Sequence, residues 1–193
     1  FDVIVQVSGR PSSDDFSSSV TERIKTFVQN GGGLVVTGGW PDWANEIMGA
    51  DATDESVTAG SKVINDALHP ILKPFTDLSE YQYYSRSRKI VPTTCINIVG
   101  DTNGMPWISE NNYGSGRGVL VGIAHRPNLG KIGTYVDGGT EWYDRALGAP
   151  NCGYWVLLSN AIVYAAHKEE LLPIWWYDNV YKAKYDWHKQ FWY

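Results

Sequence analysis

Apolar positions in this chain come in short runs separated by polar, glycine-rich connections. "DVIVQV" (2–7) is an apolar run closed by Ser8-Gly9-Arg10-Pro11. It reads as a strand buried on both faces, the kind found in parallel sheets. In "SSDDFSSSVTERIKTFVQNGGG" the residues Val20, Ile24, Phe27 and Val28 fall on one helical stripe. Asp14, Asp15 and the serines offer N-caps, and Asn30-Gly31 offers the stop. "GLVVT" (33–37) is a second buried strand. Strand, helix and strand in about 35 residues make a βαβ unit, so the sheet is expected to be parallel with a right-handed crossover.

The middle is less regular. "PDWANEIMG" (41–49) suggests a short helix, and "DATDESVTAGSKV" (51–63) reads as polar loop with a short strand near Val57. "ALHPILKPF" (67–75) holds two prolines and cannot be one regular element. "EYQYYSR" (80–86) and "TCINIVG" (94–100) read as strands. "MPWISENNYGSGRGVLVGIAH" reads as a hairpin turning at Tyr113-Gly114-Ser115-Gly116, its second strand (118–124) stopping at His125. A long glycine-rich loop (126–153) follows, then a helix over 153–170 with Trp155, Leu158, Ile162, Ala165 and Ala166 near one face. The division expected is an α/β domain over 1–170 and an aromatic-rich extension over 171–193. Dense exposed aromatics rarely stay wet, so the extension is either a strap on the domain or an arm docking a protein partner or a second copy.

Composition narrows the function. A chain of 193 residues suffices for one domain with a sizeable core. No run approaches the roughly 18 apolar residues of a membrane helix, so no membrane span is expected. The net charge of −5, without a dense Lys/Arg cluster, argues against a nucleic-acid partner. Charged residues are 19%, below the about 25% of an average domain, while nine Trp and twelve Tyr raise aromatics to 13%. That balance suits an extracellular or periplasmic protein, or an assembly component, with the cytoplasm as the alternative. It also suits a carbohydrate ligand, since sugar rings stack on aromatic faces, although a Trp-rich core gives the same counts. Cys95 and Cys152 fit no zinc or redox spacing. They are open to one disulfide or to two buried thiols. The sequence starts at Phe1 and runs straight into a strand, as a processed chain or a piece of a longer one would.

Candidate chemistry gathers where strands end. Ligands of open α/β sheets bind outside the carboxyl ends of the strands. Ser8-Gly9-Arg10, Thr37-Gly38-Gly39-Trp40 and Ala124-His125 are three such ends, a pocket floor of Ser, Gly, Trp and His. His69, held by Pro70, could join Glu80 and His125 as an acid–base set or as ligands of zinc or a similar divalent ion. His69 and His125 would be the metal ligands. "YGSGRG" lacks the Lys-Ser/Thr pair of a phosphate loop and bridges two strands, so it reads as a hairpin turn. No Gly-x-Ser-x-Gly follows a strand, and neither cysteine sits at a strand-to-helix elbow.

The order of these pieces resembles the ThuA-like (trehalose-utilisation) proteins and related glutamine amidotransferase-like domains. The matching residues are Gly31 to Val35, His69 to Ile71, Glu80 with Tyr81, Pro106-Trp107, Gly114 to Arg117, and Gly122 with His125. Together they cover 1 to about 167. The resemblance implies a flavodoxin-like three-layer α/β sandwich with a mostly parallel sheet. It implies a carbohydrate ligand, with Tyr81 and Trp107 joining Ser8, Gly38, Gly39 and Trp40 around it and His69, Glu80 and His125 as catalytic candidates. Two departures stand out. The family has about one βα unit ahead of "FDVIVQV", which is missing from this sequence. The amidotransferase cysteine is absent: Gly38-Gly39-Trp40 stands at the turn, as ThuA-like members also tolerate. Glutaminase chemistry needs that thiolate, so none is expected. A pseudoenzyme kept as a structural module of a larger assembly is the competing expectation.

Overall fold

Two parallel pairings set the frame. β1 (Val3–Ser8) lies beside β2 (Gly33–Gly38) from Val3↔Gly33 to Ser8↔Gly38. β2 in turn lies beside β8 (Gly116–Val121) from Gly33↔Arg117 to Thr37↔Val121. The structure is a computed structural model that describes residues 1–8, 16–38, 42–57, 60–72, 87–122 and 154–172.

The sheet continues from β8 through antiparallel β7 (Pro106–Tyr113), β6 (Ile96–Asp101) and β4 (Lys62–Ile64), in the order β1-β2-β8-β7-β6-β4. Following these pairings, β1, β2, β8 and β6 run one way and β7 and β4 the other, so the sheet is mostly parallel. β3 (Ala50–Val57) and β5 (Ser87–Pro92) form a separate antiparallel pair.

Helices cover both faces. α1 (Ser18–Gln29) carries β1 to β2 and buries Thr21, Ile24 and Val28, while Val20, on the edge of the expected stripe, stays 38% exposed. It ends as anticipated at Asn30-Gly31: Gly31 takes φ +108, and the Gly32 and Gly31 amides return to the Phe27 and Val28 carbonyls. Ser17 occupies the N-cap but makes no side-chain cap; Asp14 and Asp15 lie outside the described residues. α2 (Asn45–Met48) follows a 3-10 turn at Asp42–Ala44. α3 (Tyr154–Ala165) returns along the other face. A Cβ on Gly118 would stand 2.4 Å from the Ile47 carbonyl of α2, and one on Gly33 2.5 Å from the Ala165 carbonyl of α3. Gly33 is the register partner of Arg117, the neighbour of Gly118. Side chains alternate across a strand, so α1 and α2 form one outer layer and α3 the other. The fold is an α/β sandwich of flavodoxin-like, three-layer type. Leu34, Val35, Val36, Val119, Leu120 and Val121 are all fully buried, as strands covered on both faces require.

Two expectations change. The stretch 51–63, expected as polar loop with a short strand near Val57, instead carries most of the eight-residue β3, Ala50–Val57, and the start of β4, Lys62–Ile64, because β3 is held by backbone pairing to β5 and β4 by pairing to β6 rather than by an alternating apolar face. The last helix stops at Ala165. His167 turns left-handed at φ 56, and the Lys168 and His167 amides close back on the Val163 and Tyr164 carbonyls before a 3-10 turn at Glu169–Leu171. The strand expected at 80–86, the loop at 126–153 and the extension beyond Leu172 lie outside the described residues, and β5 begins at Ser87. Among the described residues no helix is long and apolar enough to cross a membrane.

Candidate functional site

His69 stands at the head of a 3-10 turn, Pro70–Leu72, which the proline starts at its fixed φ. The Ile71 amide donates to His69 Nδ1 at 3.2 Å, and the Leu72 amide donates to the His69 carbonyl at 2.9 Å. Nδ1 is therefore held as a hydrogen-bond acceptor. Nε2 faces Glu110 Oε1 at 3.6 Å, with the two side chains only 6% and 14% exposed. The other Glu110 oxygen accepts the Tyr164 hydroxyl. Tyr164 sits edge-on to the His69 ring, centroids 4.8 Å apart.

The array extends through Arg117. Its guanidinium lies 4.2 Å over the Tyr164 ring, donates to the Tyr164 carbonyl at 2.9 Å and pairs with Glu169. One turn back on α3, Asn160 Nδ2 donates to the Ile71 carbonyl at 2.9 Å. Glu110 opposes Val119, two positions along β8 from Arg117, so both project toward α3. The turn at 70–72, the β7–β8 hairpin and the end of α3 are thus joined by one polar chain.

Its electrostatics follow from that crowding. Burial pushes the Glu110 carboxyl up, but His69, the Tyr164 hydroxyl and the Arg117 charge together outweigh it and hold Glu110 below the usual carboxylate range. Burial, then the bond to Glu110, drive the Tyr164 phenol well above its ordinary value. For Glu169, burial is likewise outweighed, chiefly by the Arg117 bond, and its carboxyl is lowered.

The candidate residues separate into two groups. Ser8 and Gly38 are register partners at the ends of β1 and β2. His69 instead meets Glu110, level with Val119 and Val35. That is three positions below Gly38, roughly 10 Å at the rise of a strand. Trp107 is 4% exposed, and its carbonyl accepts the Gly122 amide. It sits at the register shift between β7 and β6, where Ile108 pairs with Val99 and Pro106 with Gly100. Gly39, Trp40, Glu80, Tyr81 and His125 lie outside the described residues. His69 contacts the Ile71 amide and Glu110, and the described residues contain no group of three or more His, Cys, Asp or Glu able to hold a metal; His125, the other expected ligand, lies outside them. Cys95 is a half-buried free thiol among the described residues, pushed up by burial, and Cys152 lies outside them.

Glu110, Tyr164, Asn160 and Glu169 were not among the sequence candidates. Their signal was faint but present: Glu110 is the one charge in an otherwise uncharged strand, and Tyr164 and Asn160 fall four apart on the helix.

No family model matches this chain, and no curated protein matches its sequence. Solved structures do match. The cytoplasmic protein STM3548 from Salmonella typhimurium is similar at 17% identity and TM-score 0.57, over 86% of this chain and 72% of that one. The cytoplasmic protein STM1381 from Salmonella typhimurium LT2 is similar at 18% and 0.52, over 84% and 72%. A β-galactosidase from Bacillus circulans sp. alkalophilus overlaps at 18% and 0.43, over 63% of this chain and 20% of that enzyme, too shallow an overlap to carry an argument. Likeness at this level shows the α/β fold alone.

Proposed function

We propose that this domain binds a carbohydrate at the carboxyl ends of β1, β2 and β8, and performs no glutaminase chemistry. The observation that carries the reading is the shared end of β1 and β2, where Ser8 and Gly38 leave the sheet as register partners beside Val121 of β8. In an open α/β sheet that edge is where ligands sit. The residues that follow, Gly39 and Trp40, bring an aromatic face and no thiolate. Tyr81, Glu80 and His125 complete the ligand's surroundings in this reading. Trp107, whose carbonyl holds the Gly122 amide at the end of β8, supports the strand ends, and His69, packed on Glu110 and Tyr164, supports them from the α3 face.

The test is calorimetric titration of the protein with a panel of neutral and acidic mono- and disaccharides, trehalose included. At least one should bind, and Trp40→Ala should weaken it about tenfold or more, as loss of a central aromatic contact does. If no saccharide binds, or if Trp40→Ala binds as well as the parent, the reading is wrong.

A further inference from the structure

We propose that the free edge of β1 is a docking surface for the chain's own aromatic-rich extension, with residues 181–188 added to the sheet as a strand parallel to β1 and outside it. Three observations carry this, and none depends on the carbohydrate reading.

The first is an open edge. Among the described residues the sheet ends at β1 on one side and at β4 on the other. β4 is three residues long and carries Lys62, the short, charged build that keeps an edge from recruiting strands. β1 is six residues long and carries no charge from Val3 to Ser8. The Asp2 carbonyl accepts the Gly33 amide, so Asp2, Ile4 and Gln6 turn their backbone groups toward β2, and Val3, Val5 and Val7 turn theirs outward. Side-chain cover is incomplete as well. Leu34 and Val35 of β2 are fully buried, whereas their register partners Ile4 and Val5 are not, and Val5 is 37% exposed. Val5 lies on the α3 face, because Val3 is the register partner of Gly33, which meets α3 at Ala165. β1 thus has the composition of a strand paired on both sides.

The second is where the chain goes after α3. The helix ends at Ala165 against Gly33, and three residues on, Lys168 pairs with Asp2. Both contacts lie at the amino ends of β1 and β2. Leu172, the last described residue, is still buried. A segment that sets out from there and runs beside β1 is parallel to it. The connection through α1, from β1 to β2, crosses the sheet one way over one face. A connection from β8 through α3 to a strand outside β1 crosses the other way over the opposite face. Reversing both direction and face preserves the hand, so both have the right-handed sense that parallel crossovers take. A parallel strand outside β4 would need the left-handed one.

The third is the pattern of the extension. Tyr181, Ala183, Tyr185 and Trp187 alternate without a break with Lys182, Lys184, Asp186 and His188. Period two marks a strand with one buried and one wet face. The apolar side covers Val5, and the lysines blunt the new edge. Such a strand spans roughly 26 Å against roughly 20 Å for β1, so it covers β1 from end to end.

Amide hydrogen exchange of the full chain, read residue by residue by NMR, tests this together with its mass in solution. The chain should be a monomer in which the amides of Val3, Val5 and Val7, and alternate amides within 181–188, exchange slowly. Tyr185→Asp places a charge on the apolar side and should speed exchange in both stretches by about tenfold or more, while β2 keeps its protection. Lys184→Asp, on the wet side, should leave both as in the parent. Free-peptide exchange rates across 181–188 in the parent would overturn the proposal. So would a Tyr185→Asp variant that frees 181–188 and leaves Val3, Val5 and Val7 protected, since another segment then covers β1. If protection of both stretches is lost as a dimer dilutes into monomers, the added strand comes from a second copy and the proposal is wrong.

Discussion

The two faces of the β7–β8 hairpin make opposite contacts from adjacent residues. Toward α1 and α2 the β8 strand presents bare backbone at Gly116 and Gly118. Gly116 lies so close to α1 that a Cβ there would stand 2.1 Å from the Val28 and Gly32 carbonyls, and Gly118 meets α2 at Ile47. Asn111, on that face, ties α2 down by donating to the Glu46 and Ile47 carbonyls, and the Tyr113 hydroxyl, two positions on, accepts from Gln29 of α1 and donates to Glu46 of α2. Toward α3 the same hairpin carries Glu110 and Arg117, and contact is made through long charged side chains. The "GSGRG" motif therefore has a structural logic unrelated to phosphate binding: glycines let one helix layer approach, and the arginine between them reaches the other. One face fixes distance by sterics and tolerates nothing larger. The other fixes orientation by charge and can lose a partner without a clash.

The largest effect should come from the steric face. Gly116→Ala places a methyl against backbone that cannot swing aside, so the hairpin and α1 must separate. A loss of about 3 kcal/mol is expected, at the upper end for overpacking, measured by urea denaturation. A loss below about 1 kcal/mol would mean that the hairpin backs away freely and that the close approach is not what sets the layer distance.

The charged face should yield less. Arg117→Leu leaves Glu110 and Glu169 without their cation and exposes no clash. The Arg117 and Glu169 side chains are 20% and 30% exposed, between a surface pair and a buried one, so about 2 kcal/mol is expected. Adding Glu110→Gln should recover part of that loss, because the unpaired carboxylate is then gone. If the two changes simply add, Glu110 and Arg117 do not act on each other and the array is two separate contacts.

The same contrast explains what could be read from the chain beforehand. Buried strands announce themselves: "VIVQV" and "GLVVT" carry enough apolar residues to be recognised alone, and Asn30-Gly31 marks the helix end by its backbone needs. The hairpin turn was equally plain, since Gly114 at φ +64 follows from turn chemistry. What escaped notice depends on long-range pairing. β3 is polar and exists because β5 lies beside it. Glu110, in a run of polar residues, acquires meaning only when α3 brings Tyr164 across a separation of 54 residues. His69 was visible as a candidate, but its carboxylate partner in the described residues is Glu110. Nothing in the sequence between residues 69 and 110 signals that meeting. The strand-end residues Ser8 and Gly38 were legible because their register follows from the βαβ unit itself.

The smallest effect is a matter of pH and isolates the charged face from the steric one. Glu110 is held below the usual carboxylate range in the folded protein, because His69, Tyr164 and Arg117 outweigh the cost of its burial. A carboxyl whose folded value is depressed adds stability above its unfolded value, about 4.3 for glutamate, and loses it as the pH falls through the folded one. Glu110→Gln removes that contribution and retains the shape. The parent should therefore melt above Glu110→Gln at pH 6 to 7, and the gap should close progressively below about pH 4.5 as protonation removes the parent's advantage. Gly116→Ala, which alters no titrating group, should keep a nearly constant gap to the parent across the same range. A gap between the parent and Glu110→Gln that stays constant down to about pH 3 would mean that the carboxylate's charge contributes nothing to holding α3, and that Glu110 acts there only by shape.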